Sequence, residues 1–404
     1  MNLYVILALL KIFYPDPDSV TRGVYINPYQ VCNKEYMKEI FAKADSGLIN
    51  TIVVDFKSDY GFLAYASSIE KAKEIDAVKH FIDVDYLIEE TAARGMKLIA
   101  RIVCFRDDYF ARYNDCGIKN DSGEVWFDKK GLAWINPYKQ EAREYLLELT
   151  KEIVDLGIRS IAFDYIRFPT DGSVERIRLT NVDGPRCAPI LKFLETIKHE
   201  INDNVEIGVC VFGFAVWYCL ESEGQDIKAM AEYIDVLYPM LYPSHFHWNF
   251  KREENEYWRN YWIYYDSVKE AKGKLPLHIK ITPFVQGFTL LAENFNCEYI
   301  FSQIDGALSA FADGFVIWNA RGDYAISSSP LLWAHNLILK QSVQTCLNTR
   351  MKEEGQRYQN IIHPQLLTQG KTRKIDLTTL QIHTRIDSLP LRKSRKFYPD
   401  PVLP

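Results

Sequence analysis

Two hydrophobic rhythms alternate along this chain from about residue 20 to residue 340. Short, nearly continuous apolar runs are followed by stretches whose apolar positions fall three and four residues apart, the spacing of a helix with one buried face. Gly23–Gln30 (GVYINPYQ) reads as a first strand, with Asn27-Pro28 near its end. Lys34–Leu48 reads as a helix that buries Tyr36, Met37, Ile40, Phe41 and Ala44. Asn50–Phe56 is a second strand, and its unbroken apolar character suits a parallel sheet covered on both faces.

The alternation continues to the end of this region. Helix Tyr86–Arg94 stops at Gly95 and leads to strand Met96–Phe105. Helix Pro137–Leu156, opened by a proline and closed by Gly157, leads to strand Ser160–Phe168. Helix Ala188–Ile201 precedes strand Val205–Phe214, and a short helix Asp226–Tyr233 precedes strand Ile234–Tyr242. Glu256–Lys272, His278–Phe284, Tyr299–Asp313, Gly314–Asn319 and Leu331–Lys340 complete the series as helix, strand, helix, strand and helix.

Strands joined by helical crossovers are parallel. Eight such units over roughly 320 residues predict a single closed (β/α)8 barrel in the α/β class. An open doubly wound sheet is the structural competitor. It lacks support, because no G-x-G-x-x-G follows the first strand and no phosphate loop is present. The expected organisation is an N-terminal segment (1–20), the barrel (21–340) and a basic, poorly ordered tail (341–404).

Composition refines this picture in two places. The formal net charge of −5 is unevenly spread. Residues 340–404 carry twelve Lys/Arg against five Asp/Glu, which leaves the barrel region strongly acidic and argues against a nucleic-acid partner there. Aromatic residues reach 14%, enough to serve both a core and stacking faces for sugar rings. The apolar N-terminal run (MNLYVILALLK) is too short to span a membrane and could be a degenerate signal or a first strand. The body has no other run of transmembrane length. Eight scattered cysteines form no C-x-x-C pair, so neither a zinc site nor a disulfide framework is indicated.

In a (β/α)8 barrel, chemistry gathers at the C-terminal ends of the strands. Strand four (SIAFDYIRFP) has Ser160, Ala162 and Asp164 on one face and the bulky Ile161 and Phe163 on the other. Asp164 is therefore expected to point into the barrel, where a carboxylate requires a partner; Arg101 on strand three and Arg167 are the candidates. Strand two adds a row of Asp55, Lys57 and Asp59. Asp107 follows strand three, Tyr242 and His245 close strand six, Gln286 follows strand seven, and Trp318 and Asn319 end strand eight. Polar and aromatic groups at nearly every strand end suit an extended polyol. A G-x-S-x-G elbow, an H-E-x-x-H motif and a recognisable Cys/His nucleophile pair are all missing, and His245 and His247 lack a Cys or Glu cluster at ligand spacing. No cofactor or metal is expected.

These strand ends carry a family resemblance. RGVYI from Arg22, VVDFKSDYG from Val53, RIVCFRDD from Arg101, FDYIRFP from Phe163, YPMLYPSHF from Tyr238, TPFVQGF from Thr282 and VIWNA from Val316 occur in one order. Together they resemble a glycoside-hydrolase-like barrel family, long catalogued as a domain of unknown function and found mostly in bacterial cell-envelope proteins. The resemblance implies a (β/α)8 barrel acting on glycosidic bonds, with a carbohydrate substrate and Asp164 as the leading catalytic residue. It also implies an extracytoplasmic or cell-envelope location, whereas the unpaired cysteines would equally suit the cytoplasm.

One departure bears on mechanism. Where the family pattern tends to place an acid before Val-Phe-Gly on strand five, this chain has Cys210. Glycoside hydrolysis normally needs two carboxyl groups, and a thiol is a weak proton donor. The expected reading is a glycoside hydrolase with Asp164 as nucleophile or base. Asp59 or Asp107 would supply the second acid, and Asp55, Lys57, Arg101, Arg167, Tyr242, His245, Gln286, Trp318 and Asn319 would contact substrate. The alternatives are a catalytically weak carbohydrate-binding barrel, favoured by Cys210, and lyase or isomerase chemistry on the same fold.

Overall fold

The computed structural model describes residues 19–339, apart from 114 and 254. The basic tail and nearly all of the N-terminal segment lie outside the described residues. Eight parallel strands form the wall of the barrel: β1 (Thr21–Ile26), β2 (Thr51–Lys57), β3 (Lys97–Val103), β4 (Ser160–Asp164), β5 (Glu206–Phe212), β6 (Val236–Met240), a split β7 (Lys280–Ile281 with Phe284–Gln286) and β8 (Gly314–Trp318). Each pairs with its neighbours in chain order, and β1 pairs with both β2 and β8, which closes the sheet. The connecting helices are α1 (Lys34–Asp45), α2 (Val84–Ala93), α3 (Gln140–Asp155), α4 (Cys187–Glu200), the single turn α5 (Ile227–Met230), α6 (Glu256–Lys274) and α7 (Cys297–Ser309). A further helix covers residues 328–339. No helix among the described residues is long and apolar enough to cross a membrane.

The period-two alternation sorts side chains onto two faces. Tyr25, Val53, Ile99, Ala162, Cys210, Tyr238 and Val316 meet inside the barrel, while Ile52, Val54, Ile161, Phe163 and Val209 pack outward in the larger layer that contains the helices. Small residues on β4 and β5 make room for the large ones opposite. A Cβ on Gly208 would sit 2.3 Å from the Tyr238 ring, so this position admits nothing larger than glycine while Tyr238 fills the interior.

Several elements end earlier than their sequences predict, for local reasons. β1 stops at Ile26, not Gln30, because the Asn27 side chain accepts from Gln30 N and caps a short turn, Pro28–Val31. β4 stops at Asp164, not Phe168, because Tyr165 turns into the left-handed region (φ 48°). β7 is split at Thr282-Pro283, where proline has no N–H to give the ladder. Two excursions escaped the sequence reading. After β2 the chain forms Leu63–Tyr65, antiparallel to β2, and Val78–Ile82, parallel to Leu63–Tyr65. The long connection after β3 includes Lys119–Asn120, paired with Ile177–Arg178 from the β4–α4 connection.

Candidate active site at the barrel mouth

Arg101 is the centre of the mouth. It is only 1% exposed, and a buried guanidinium needs carboxylates around it. Three aspartates supply them. Nε and Nη2 both hold Asp164 Oδ2, at 2.8 and 2.7 Å. Nη1 donates to Asp55 Oδ1 at 2.7 Å, and Nη2 donates to Asp59 Oδ1 at 2.9 Å. The planar fork of arginine suits this division. From above, the Trp318 ring lies 4.8 Å from the guanidinium carbon and is itself stacked on Tyr25 at 3.7 Å.

Asp164 points inward from the last position of β4, and Tyr165 N donates to its Oδ1 at 2.6 Å. That bond depends on the left-handed backbone of Tyr165, a conformation that bulky residues rarely adopt and that concentrates at functional sites. Asp59 reaches the same cation from a tight turn after β2, in which Gly61 N donates to Ser58 O at 3.0 Å. Its side chain keeps 33% exposure, against 5% for Asp55 and Asp164, so it is the acid at the open rim.

The environments push the acids apart. Burial lifts Asp55 to about 6, against the pull of Arg101 and of the Tyr25 hydroxyl, which donates at 2.6 Å. Burial also disfavours charge on Asp59, but Arg101, Arg106 and Lys130 outweigh it and hold this carboxyl below its usual range. The Asp55 shift has a consequence for stability. Between about pH 3.8 and 6 the folded protein keeps a proton that the unfolded chain has released, so this group's contribution to stability falls as pH rises through that window. Asp55→Asn removes the exchange. The melting-temperature difference, variant minus wild type, is expected to move in the variant's favour across the window, and a flat difference in thermal melts at the two ends would refute it.

The row predicted on β2 is broken by a bulge between Asp55 and Lys57. Asp55 and Asp59 face Arg101, but Lys57 turns aside and is fully buried. It donates to Val103 O at 2.7 Å and pairs with Asp107 at 2.8 Å. Asp107 in turn accepts from Tyr109 N and Phe110 N. The contacts of Lys57 and Asp107 therefore fasten the β2 and β3 loops to each other. Gly61 lies against this pair: at φ 102°, a Cβ would fall 2.1 Å from Asp107 Oδ1.

The other predicted residues divide in the same way. The Tyr242 hydroxyl, near Asp164, has no hydrogen-bond partner among the described residues. His245 is exposed beside it, with Nδ1 2.9 Å from Ser244 Oγ. Gln286 accepts from Ser244 N and donates to Phe288 O and Leu290 O, so its amide ties rim loops together. Asn319 likewise donates to Gly287 O and accepts from Arg321 N. Arg167 makes no ion pair with Asp164; it donates to Phe168 O at 2.9 Å and lies over the rings of Trp134, Tyr165 and Phe212. Cys210 is fully buried one position past the Phe163–Val209 pair, and burial together with Asp164 lifts its thiol well above the ordinary value.

Sequence reasoning passed over Tyr25 and Asp128, and placed Arg106 at the end of strand three without a role. Tyr25 could have been found, since it shares the inward face with Gly23. Arg106 donates to Asp128 at 2.9 Å and lies 3.6 Å from Asp59, and that pairing crosses an irregular loop that no periodicity reveals. A cleft of about 670 Å³ opens beside the rim, lined by Tyr29, Tyr60, Phe62, Tyr109, Tyr113 and Asp108 among others. Tyr60 follows Asp59 directly in the chain, although Asp59 itself does not line the cleft.

Solved structures with the same fold include the glycoside hydrolase domain of PgaB (BpsB) from Bordetella bronchiseptica, at 8% identity and TM-score 0.54, covering 77% of this chain and 98% of that one. A cycloalternan-degrading enzyme from Trueperella pyogenes matches at 10% identity and TM-score 0.53, covering 86% and 52%. A hypothetical protein from Ruminiclostridium thermocellum shares 29% identity over 46% of this chain and 96% of its own, at TM-score 0.44. No curated protein sequence matches the chain. The family model described as "Putative glycosyl hydrolase domain" matches residues 23–324, most of the chain and all of the barrel wall except the first two residues of β1, and the protein belongs to that family.

Proposed function

We propose that this barrel hydrolyses a glycosidic bond at its C-terminal mouth, with Asp164 as nucleophile or base and Asp59 as the second carboxyl group. The observation that carries the reading is the shared cation. Asp164 Oδ2 and Asp59 Oδ1 lie 2.7 and 2.9 Å from the same Arg101 nitrogen, so these oxygens are at most about 5.6 Å apart, within reach of the roughly 5–5.5 Å used for retention and short of the roughly 6.5–9.5 Å needed to seat an inverting water. Arg101 Nε and Nη2 both hold Oδ2 of the attacking carboxylate and so fix its orientation. Tyr242 and Trp318 supply an open hydroxyl and a ring face around the acids, and the aromatic cleft beside Asp59 suits further sugar units. Asp107 and Lys57 hold the loops that carry Asp59.

Hydrolysis also needs a proton for the leaving oxygen. Asp59 is held ionised while Arg101 and Arg106 face it, so it donates well only when bound substrate takes over some of those bonds. This requirement, together with the buried thiol at Cys210, favours a second reading: a barrel that binds glycans and cleaves them slowly. A panel of polysaccharides separates the two. On the first reading at least one is cut, and proton NMR of the earliest product shows the anomeric configuration retained. Inversion would remove the Asp164–Asp59 assignment, and binding without cleavage would leave only the second reading.

A further inference from the structure

Arg167 differs from the other buried cations around the mouth. Arg101 meets three carboxylates, Arg106 meets Asp128 and Asp59, and Lys57 meets Asp107. Arg167 is 8% exposed and has none. Only its Nη1 is engaged, by Phe168 O and more distantly by Thr170 Oγ1. Nε and Nη2 have no partner among the described residues, and neither is sealed from solvent. The guanidinium is held on three aromatic faces, Phe212 at 4.4 Å, Tyr165 at 4.9 Å and Trp134 at 5.0 Å. Phe212 ends β5 on the same face as Gly208 and Cys210, so Arg167 stands at the inner rim, beside Asp164.

Asp164, Asp171 and Glu223 act on this desolvated cation only from a distance, none in contact, and ring faces compensate for only part of the cost of keeping it. The unengaged Nε–Nη2 edge presents two parallel N–H groups, the arrangement that receives two oxygens of one anion. From this we infer that Arg167 binds an anionic substituent on the sugar unit next to Asp164, a carboxylate or a sulfate, and so sets a preference for acidic glycans. The inference rests on the glycan reading of the mouth and adds the substrate class to it. The aspartates nearby sharpen the selection, since an anion is tolerated at this one position and repelled elsewhere along the rim.

The test is a glycan array probed with the full chain. It carries oligomers of galacturonate, glucuronate and mannuronate, sulfated galactans, and neutral cello-, xylo- and chito-oligomers. Wild type is expected to prefer carboxylated or sulfated members, the array showing which. Arg167→Gln is expected to lose that preference by tenfold or more while keeping its neutral binding, and Arg167→Lys to keep part of it. Preference for neutral glycans, or unchanged acidic binding in Arg167→Gln, overturns the inference and leaves the glycan reading standing. If wild type binds no glycan, the glycan reading itself falls and takes this inference with it. Should Arg167→Gln fail to fold, competition on wild type serves instead: free glucuronate or sulfate displaces the bound oligomer and glucose does not, whereas equal displacement by glucose overturns the inference.

Discussion

Asp164→Asn should lower turnover of the best polysaccharide by roughly 10²–10⁴-fold and leave its binding within a few-fold of wild type. The substitution is conservative where it needs to be. The single amide oxygen can keep the bond from Tyr165 N, now made to Oδ1, or those from Arg101, now made to Oδ2, but not both, while Asp55 and Asp59 remain to neutralise the guanidinium. What is lost is the negative charge that would attack or activate. The measurement is initial rate by reducing-end release, with affinity from the same preparation. If both proteins cleave alike, Asp164 is no more than a partner for Arg101. If neither cleaves and both bind, the hydrolase reading fails and the binding barrel remains.

Removing the cation should do more harm to the fold than removing any one acid. Arg101→Met leaves three buried or half-buried carboxylates without their common partner, and breaking a buried pair of this kind costs about 3–5 kcal/mol. The loss should depend on pH in a defined sense. Without Arg101, Asp55 and Asp59 lose the cation that holds their carboxyls down, so the penalty shrinks as pH falls toward the carboxylate range. Denaturant unfolding at neutral and at mildly acidic pH reads both effects. A penalty that is small, or that does not change with pH, would mean that water already compensates the cluster. Arg101→Lys should recover only part of the loss, because an ammonium cannot reproduce the fork that divides three aspartates.

The fold was largely legible because its signals are local. Apolar runs such as Thr51–Phe56 and Gly314–Trp318 can be buried on both faces only in a parallel sheet, and the helices between them leave few other ways to connect the strands. Inward orientation was legible where alternation is regular, as at Ser160, Ala162 and Asp164. It was lost where the backbone departs from the pleat. The bulge after Asp55 reverses Lys57, so a row of three charges read from the sequence becomes two separate clusters. The left-handed turn at Tyr165 likewise leaves Arg167 on ring faces, near the carboxylate three residues earlier but not in an ion pair with it. Gln286 and Asn319 stand at the expected strand ends, yet their amides answer to nearby backbone groups, and a sequence does not display that local demand.

The turn that carries Asp59 has one further consequence. Its N-terminal side is anchored by the buried Lys57, and its C-terminal side by Gly61, packed against the same Asp107 with no space for a side chain. The backbone between them is closed by the Ser58–Gly61 bond and by Ser58 N donating to Phe62 O at 2.9 Å. The rim carboxylate is thus mounted on a stiff bracket rather than on a closing flap. A ligand arriving at the mouth meets Asp59 already in position, so little of its binding energy is diverted into ordering that loop.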